Sequence, residues 1–143
     1  MDFTGVIRNS FNNVVLCGEY AGSLLGITNF PDNHIIAQSA FIDKEIDTDY
    51  FTVYPVKNLD LSYVEEVRKG VWITNPARTI CDMIRYDSEY SFIQEALDYY
   101  IFYNENEKEH YNEVLNVARY YNIEQKVLDA ISFAKSHDYY EEN

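Results

Sequence analysis

Three amphipathic segments in the second half of the chain limit the folds that it can adopt. Each carries apolar residues at the i, i+3, i+4, i+7 spacing that places them on one face of an α-helix. The stripes consist of Ile93, Ala96, Leu97, Tyr100 and Ile101; of Tyr111, Val114, Leu115, Ala118 and Tyr121; and of Val127, Leu128, Ile131 and Ala134. Because three successive apolar faces have to be buried against one another, the sequence predicts a helical bundle.

A boundary precedes these segments at Asn75 and Pro76. Asn is a favoured N-cap residue and Pro a favoured first residue of a helix, so a helix is predicted from Pro76 to about Tyr86. Upstream of the boundary, short apolar and β-branched runs predict strands, and a small-residue segment that ends at Gly26 predicts one helix. The predicted strands cover residues 14–17, 34–40, 50–56 and 71–74, and residues 3–11 are expected to form one or two turns.

The predicted fold is a single α/β (α+β) domain over residues 1–143. Its strand-rich half, residues 1–75, holds a small mixed sheet of about four strands. Its helical half, residues 76–137, packs a C-terminal bundle of three to four helices against that sheet. Residues 138–143 are expected to be a frayed acidic tail.

The charge of the chain restricts the class of partner. There are 24 Asp and Glu against 11 Lys and Arg, which gives a net charge of −13, while hydrophobic residues make up 47% of the sequence. The apolar content predicts a packed core, and the negative charge disfavours direct binding to DNA or RNA, whose phosphates are bound mainly by Lys and Arg. Neither a membrane span nor a secretory signal is evident, so we expect a cytoplasmic protein without membrane contact.

The residues that usually carry catalysis or bind metals are scattered. His34, His110 and His137 are isolated from one another, and Cys17 and Cys81 lie in apolar segments, where free buried thiols are expected. The glycines do not form a phosphate-binding loop. The sequence therefore predicts no catalytic residue, no metal site and no cofactor, although a nuclease-like site of converging carboxylates with a lysine stays open as an alternative.

Arg78 and Asp82 form the most unusual charged pair. They are four residues apart on one side of the helix that starts at Pro76, with the cation nearer the helix N-terminus, an order that opposes the helix macrodipole. Such a pair is expected to interact with something outside its own helix. Two interpretations remain: a structural bridge to a neighbouring strand or loop, or a marker of a partner-binding surface.

Aromatic residues are concentrated at one place in the helical half. Tyr99, Tyr100, Phe102 and Tyr103 cover more of a helix than one buried stripe requires. Tyrosine is common at protein interfaces because it combines a large contact area with a polar tip. The cluster therefore predicts either a tyrosine-lined edge of the core or a partner interface.

Two segments resemble one known family. Residues 14–27, VVLCGEYAGSLLGI, resemble the strand and small-residue helix that open the C-terminal domain of the AbiEi antitoxins of type IV abortive-infection toxin–antitoxin systems. Residues 70–84, GVWITNPARTICDMI, resemble that family's more specific G-(I/V)-x-(V/I)-T-x-(P)-x-R-T-(I/L/V)-x-D-(L/M) segment. The order and spacing of the two segments agree with the family, and the resemblance extends over roughly residues 14–100.

The resemblance implies an α/β domain whose relatives regulate their own transcription and counteract a nucleotidyltransferase toxin. In that family an N-terminal winged helix contacts the promoter, and the C-terminal domain is tied to antidote activity. Because 13 residues precede Val14, too few for a winged helix, we expect the antidote-type domain without DNA binding of its own.

The expected function is that of a non-enzymatic, antitoxin-like interaction protein that counteracts a nucleotidyltransferase-type toxin. Its expected partner is this toxin or another basic nucleic-acid-handling protein, because opposite charges speed association. The candidate residues for the family motif and the partner surface are Arg78, Thr79, Asp82, Tyr99 and Tyr103. The alternative is a phage or mobile-element regulator or decoy that blocks a host nucleic-acid-handling protein.

Overall fold

The computed structural model describes the backbone of residues 12–141 and the side chains of residues 12–136; the turns predicted at residues 3–11 lie outside this part. The strands are β1 (Val14–Leu16), β2 (Ile35–Ser39), β3 (Ile46–Asp47), β4 (Phe51–Pro55), β5 (Val64–Arg68) and β6 (Val71–Thr74). The helices are α1 (Gly18–Leu24), α2 (Pro76–Arg85), α3 (Tyr90–Leu97), α4 (Glu107–Tyr120) and α5 (Glu124–Glu141), and a π-helical segment, Asp98–Phe102, continues α3.

The strands form one mixed sheet in the order β3-β4-β2-β1-β6-β5. At its centre, β1 pairs in parallel with β6 and antiparallel with β2, and β2 pairs in parallel with β4. All residues of β1 and β2 are buried, as expected for the central strands of a covered sheet. The predicted mixed α/β fold is confirmed.

The described residues form six strands, which corrects the predicted number of about four. The two additional strands, β3 and β5, lie at the two edges of the sheet. Both residues of β3 are exposed, and β5, with the sequence VEEVR, carries the charged residues Glu65, Glu66 and Arg68 beside an exposed Val67. Exposed and charged edge strands lack the apolar alternation on which strand prediction depends.

The helices follow the predicted boundaries closely. The Asn75 side chain accepts a hydrogen bond from the backbone N–H of Arg78 at 2.8 Å, and Pro76 is the first residue of α2. This confirms the predicted N-cap, and α2 ends at Arg85, one residue before the predicted end. At the other end of the chain, the backbone of α5 is helical as far as Glu141, beyond residue 137, where we predicted the helical half to end.

The predicted bundle is confirmed by a continuous apolar cluster contributed by α2, α3, α4 and α5. Its fully buried members include Cys81, Leu97, Val114 and Val127, one from each helix. A second cluster joins α1 to the central strands. None of the helices in the described part of the chain has both the length and the apolar character needed to cross a bilayer.

Candidate functional site

Arg78 and Asp82 lie in the interior of the protein, where their side chains are 1% and 3% exposed. Arg78 donates from Nε to Asp82 Oδ2 at 3.2 Å, and its Nη1 donates to the backbone carbonyls of Asp60 at 2.7 Å and Ser62 at 2.8 Å. The guanidinium therefore connects α2 to the loop before β5. This is the structural bridge that was one of the two interpretations of the pair.

Arg85 and Tyr121 complete the surroundings of the pair. Arg85 donates from Nη2 to the second oxygen of Asp82 at 2.8 Å, and its guanidinium carbon lies 4.3 Å from the centre of the Tyr121 ring. The Tyr121 hydroxyl donates to Asp60 Oδ2 at 2.7 Å. A cationic group over a tyrosine ring is stabilised by the ring's quadrupole, so the network joins α2, α4 and the loop before β5.

The two carboxyl groups of this network titrate in opposite directions. Burial raises the pKa of Asp82, and the charges of Arg78 and Arg85 offset this only in part. For Asp60, burial acts to raise the pKa, but hydrogen bonds from Ser62 and Tyr121 outweigh it, and the pKa lies below its ordinary value. The surroundings of Asp82 therefore favour its protonated form, and those of Asp60 favour its ionised form.

Thr79 is also buried, and its side chain hydrogen-bonds the backbone at the start of α2. Its hydroxyl donates to the backbone carbonyl of Asn75 at 2.8 Å and lies 2.6 Å from the hydroxyl of Thr74. Arg78, Thr79 and Asp82 are therefore interior residues, which corrects their expected place on a partner-binding surface. Each makes its polar contacts within the fold.

Tyr99 and Tyr103 lie on the outside, with 64% and 60% of their surface exposed. Tyr99 lies in the π-helical segment and Tyr103 is its C-cap, and exposed glutamates follow them at Glu105, Glu107 and Glu109. We call these five residues the 99–109 surface. From residue 98 to residue 113 the chain carries five acidic residues and one lysine, so this surface is negatively charged.

Buried contacts fix the backbone beneath the 99–109 surface. The Tyr100 ring stacks on the His110 ring with centroids 3.9 Å apart, and the Tyr100 hydroxyl donates to Glu113. His110 Nδ1 lies 2.8 Å from the backbone carbonyl of Tyr100, and Ile101 is buried in the bundle core. The π-helical segment is thereby joined to α4, and π-helical turns are frequent at functional sites.

The two cysteines have environments that suppress reactivity. Burial, with the nearby Asp82 charge, raises the pKa of the Cys17 thiol far above its ordinary value. Burial also raises the pKa of Cys81 to about 12. Both thiols are free and buried, as predicted. A thiolate is the reactive form of cysteine, so neither residue has the environment of a nucleophile.

Among the described residues, no three histidine, cysteine or acidic side chains come together in a way that could hold a metal ion. Sequence reasoning missed Arg85, Asp60 and Tyr121 as members of the buried network. Arg85 lies three residues after Asp82, a helical spacing that could have identified it. Asp60 and Tyr121 are 61 residues apart, and neither lies in a motif that predicts their contact.

A comparison of the sequence with models of known protein families finds no match, and a comparison with curated proteins finds none either.

Proposed function

We propose that this chain is a non-enzymatic, antitoxin-like interaction protein that counteracts a nucleotidyltransferase-type toxin in the cytoplasm. The observation that carries the proposal is the 99–109 surface, where two exposed tyrosines adjoin three exposed glutamates. The chain contacts its partner there and does not bind nucleic acid itself.

Tyrosines of this kind are suited to the centre of a protein interface. A large side chain with few rotatable bonds loses little conformational entropy on binding, and tyrosine is enriched among the residues that dominate binding energy. Tyr99 and Tyr103 flank Ile101, whose burial in the bundle core anchors their backbone. The contact area is therefore largely formed before the partner arrives.

The charge of the surface selects for a basic partner. A nucleotidyltransferase needs a cationic site for its phosphate-bearing substrate, and an acidic protein is attracted to such a site. The chain's net charge of −13 strengthens this attraction over distance and repels polyanions such as RNA.

The resemblance to the antitoxin family supports the antidote role. The buried network indicates that the motif residues have a structural role in this function. Arg78, Thr79 and Asp82 hold α2 to the sheet side of the fold by the bonds described above. Their task in the proposed function is to maintain the domain that presents the 99–109 surface.

Co-expression tests the proposal in cells. A nucleotidyltransferase gene is expected beside the gene for this chain, and its product is expressed with the wild-type chain, with Tyr99→Ser/Tyr103→Ser, or with Tyr50→Ser. Tyr50 is a matched control because it is an exposed tyrosine next to a different acidic stretch, residues 43–49.

The wild type and the control variant are expected to restore growth, and the double variant is expected not to. Equal rescue by all three chains, or no rescue by the wild type, contradicts the proposal. Growth inhibition by the chain in the absence of the toxin favours instead the phage or mobile-element regulator that blocks a host nucleic-acid-handling protein.

A further inference from the structure

A cavity of about 610 Å³ lies between the β2–β4 side of the sheet and the end of α2. This volume is within the range of about 300–1,000 Å³ that small-molecule sites occupy. Polar and aromatic residues reach it from separate elements: Glu19 from α1, Gln38 from β2, Tyr54 from β4, and Tyr86 just after α2. The 99–109 surface contributes none of the residues described in its lining.

Gln38 is a polar residue of this cavity whose side chain is largely enclosed by the fold. Its side chain lines the cavity and is 8% exposed, and no group in the described part of the chain hydrogen-bonds its amide. The amide faces the cavity, so its hydrogen-bonding groups are free to pair with a ligand that enters. A ligand group that pairs with Gln38 therefore does not have to displace a hydrogen bond within the fold.

The charges around the cavity favour a cation. Its described lining contains the carboxylates of Glu19, Asp82 and Asp87 but no lysine or arginine. Asp82 is paired with two arginines, and Asp87 with Lys126 at 3.0 Å. Among the described side chains, none forms an ion pair with Glu19, so its charge is the one left for a ligand.

We propose that this cavity binds a guanidinium group, with its charge on the Glu19 carboxylate and one N–H donated to Gln38 Oε1. A guanidinium has five N–H donors in a plane and can donate to two separate acceptors at once, whereas an anion would be repelled by the unpaired carboxylate of Glu19. The ring of Tyr54 adds a face for cation–π contact, and Ile36 and Val56 receive the attached alkyl chain. The Tyr86 ring already carries the Arg85 guanidinium, 4.6 Å from its centre.

The guanidinium has two sources, a free small molecule or an arginine side chain of a protein partner. Both share the chemistry that Glu19 and Gln38 recognise. The proposal is independent of the 99–109 surface, because the cavity is lined by other residues. A negative result for the cavity would therefore not contradict the proposed interface at the 99–109 surface, and a negative result for that surface would not contradict guanidinium binding in the cavity.

The test is a nuclear magnetic resonance titration of the whole chain with n-butylguanidinium and with n-butylurea, its neutral isostere. We expect n-butylguanidinium to shift the Gln38 side-chain amide and the Gly18 backbone amide, with a dissociation constant on the order of millimolar. n-Butylurea is expected to bind about tenfold more weakly or not at all.

Substitutions assign the binding to the two residues. Glu19→Gln keeps the shape of the side chain and is expected to weaken n-butylguanidinium binding about tenfold. Glu65→Gln removes the same charge from an exposed site on β5 and is expected to change binding by less than about twofold. Gln38→Leu removes the second acceptor and is expected to weaken binding by a similar factor to Glu19→Gln.

Equal binding of the two isosteres, equal effects of Glu19→Gln and Glu65→Gln, or shifts confined to residues away from the cavity would overturn the proposal. A third titration, with a Gly-Arg-Gly peptide, separates the sources of the group. Binding at least as tight as that of n-butylguanidinium identifies a partner's arginine, and weaker binding identifies a free guanidinium compound.

Discussion

Arg78 precedes Asp82 by one helical turn, and the pair is oriented against the macrodipole of its own helix because Arg78 also hydrogen-bonds the loop before β5. Its Nη1 donates to two backbone carbonyls in the loop before β5, those of Asp60 and Ser62. These acceptors lie outside α2, and they account for a cation in the first turn of the helix, where the macrodipole alone would favour an anion. The bonds connect the sheet to the helical bundle.

Removal of the Arg78 charge is expected to destabilise the fold. Arg78→Met leaves the buried Asp82 with only Arg85 as its ion-pair partner and leaves two loop carbonyls without their donor. Breaking a buried ion pair by removing one partner costs about 3–5 kcal/mol. Urea unfolding, followed by circular dichroism, measures the change in the free energy of unfolding.

Arg119→Met is the matched control, because Arg119 pairs with Glu124 on the surface, where both side chains are well exposed. Exposed pairs contribute about 0–1 kcal/mol, so this variant should unfold close to the wild type. Similar losses for the two variants would show that the Arg78 network does not support the fold.

The low pKa of Asp60 predicts a loss of stability in acid. A carboxyl group whose pKa is lower in the folded state stabilises the fold above its unfolded pKa of about 3.9, and this contribution is lost as the pH falls through the folded value. The wild type is therefore expected to be more stable than Asp60→Asn at about pH 7, and the difference should shrink towards about pH 3. Urea unfolding across this range measures it.

Asp82 provides an opposite control in the same network. Its pKa is raised by burial, so its contribution is complete below the unfolded pKa and is lost as the pH rises through the folded value. The stability of Asp82→Asn relative to the wild type should therefore improve as the pH rises from about 3, whereas that of Asp60→Asn should worsen. The same direction of change in both variants contradicts the assigned environments.

The two thiols are expected to be inert in the native protein. At about pH 8 a thiol with a pKa of about 12 is almost entirely protonated, and both Cys17 and Cys81 are buried as well. A disulfide reagent should label them at least about 100-fold more slowly than the thiol of Ser91→Cys, whose position is exposed. Both should react once urea unfolds the chain, and fast native labelling of Cys17 would contradict its environment.

The sequence predicts those parts of the fold that have a local signal. Asn75 and Pro76 mark the start of α2 by cap chemistry, and the apolar stripes mark the bundle by their period. The edge strands β3 and β5 have no comparable signal, because they depend on hydrogen bonds to their neighbours rather than on burial of their own side chains. Prediction from apolar alternation therefore finds the centre of the sheet and misses its edges.

The candidate site could likewise be predicted from the sequence only in part. The helical spacing of Arg78 and Asp82 predicts their pairing, but spacing does not show whether the pair is buried. That depends on Tyr121 and on the loop at Asp60, which the fold brings from distant parts of the chain. The cavity around Gln38 is likewise formed by several elements together, so no single segment predicts it.

The central claim is that the 99–109 surface binds a basic partner. Isothermal titration calorimetry of the purified chain with the nucleotidyltransferase that the proposal expects beside its gene tests it most directly, at low and at high salt. We predict a complex that weakens at least about tenfold as salt rises and that Tyr99→Ser/Tyr103→Ser disrupts while Tyr50→Ser does not. No binding by the wild-type chain, or equal binding by the wild type and the double variant, would contradict the claim.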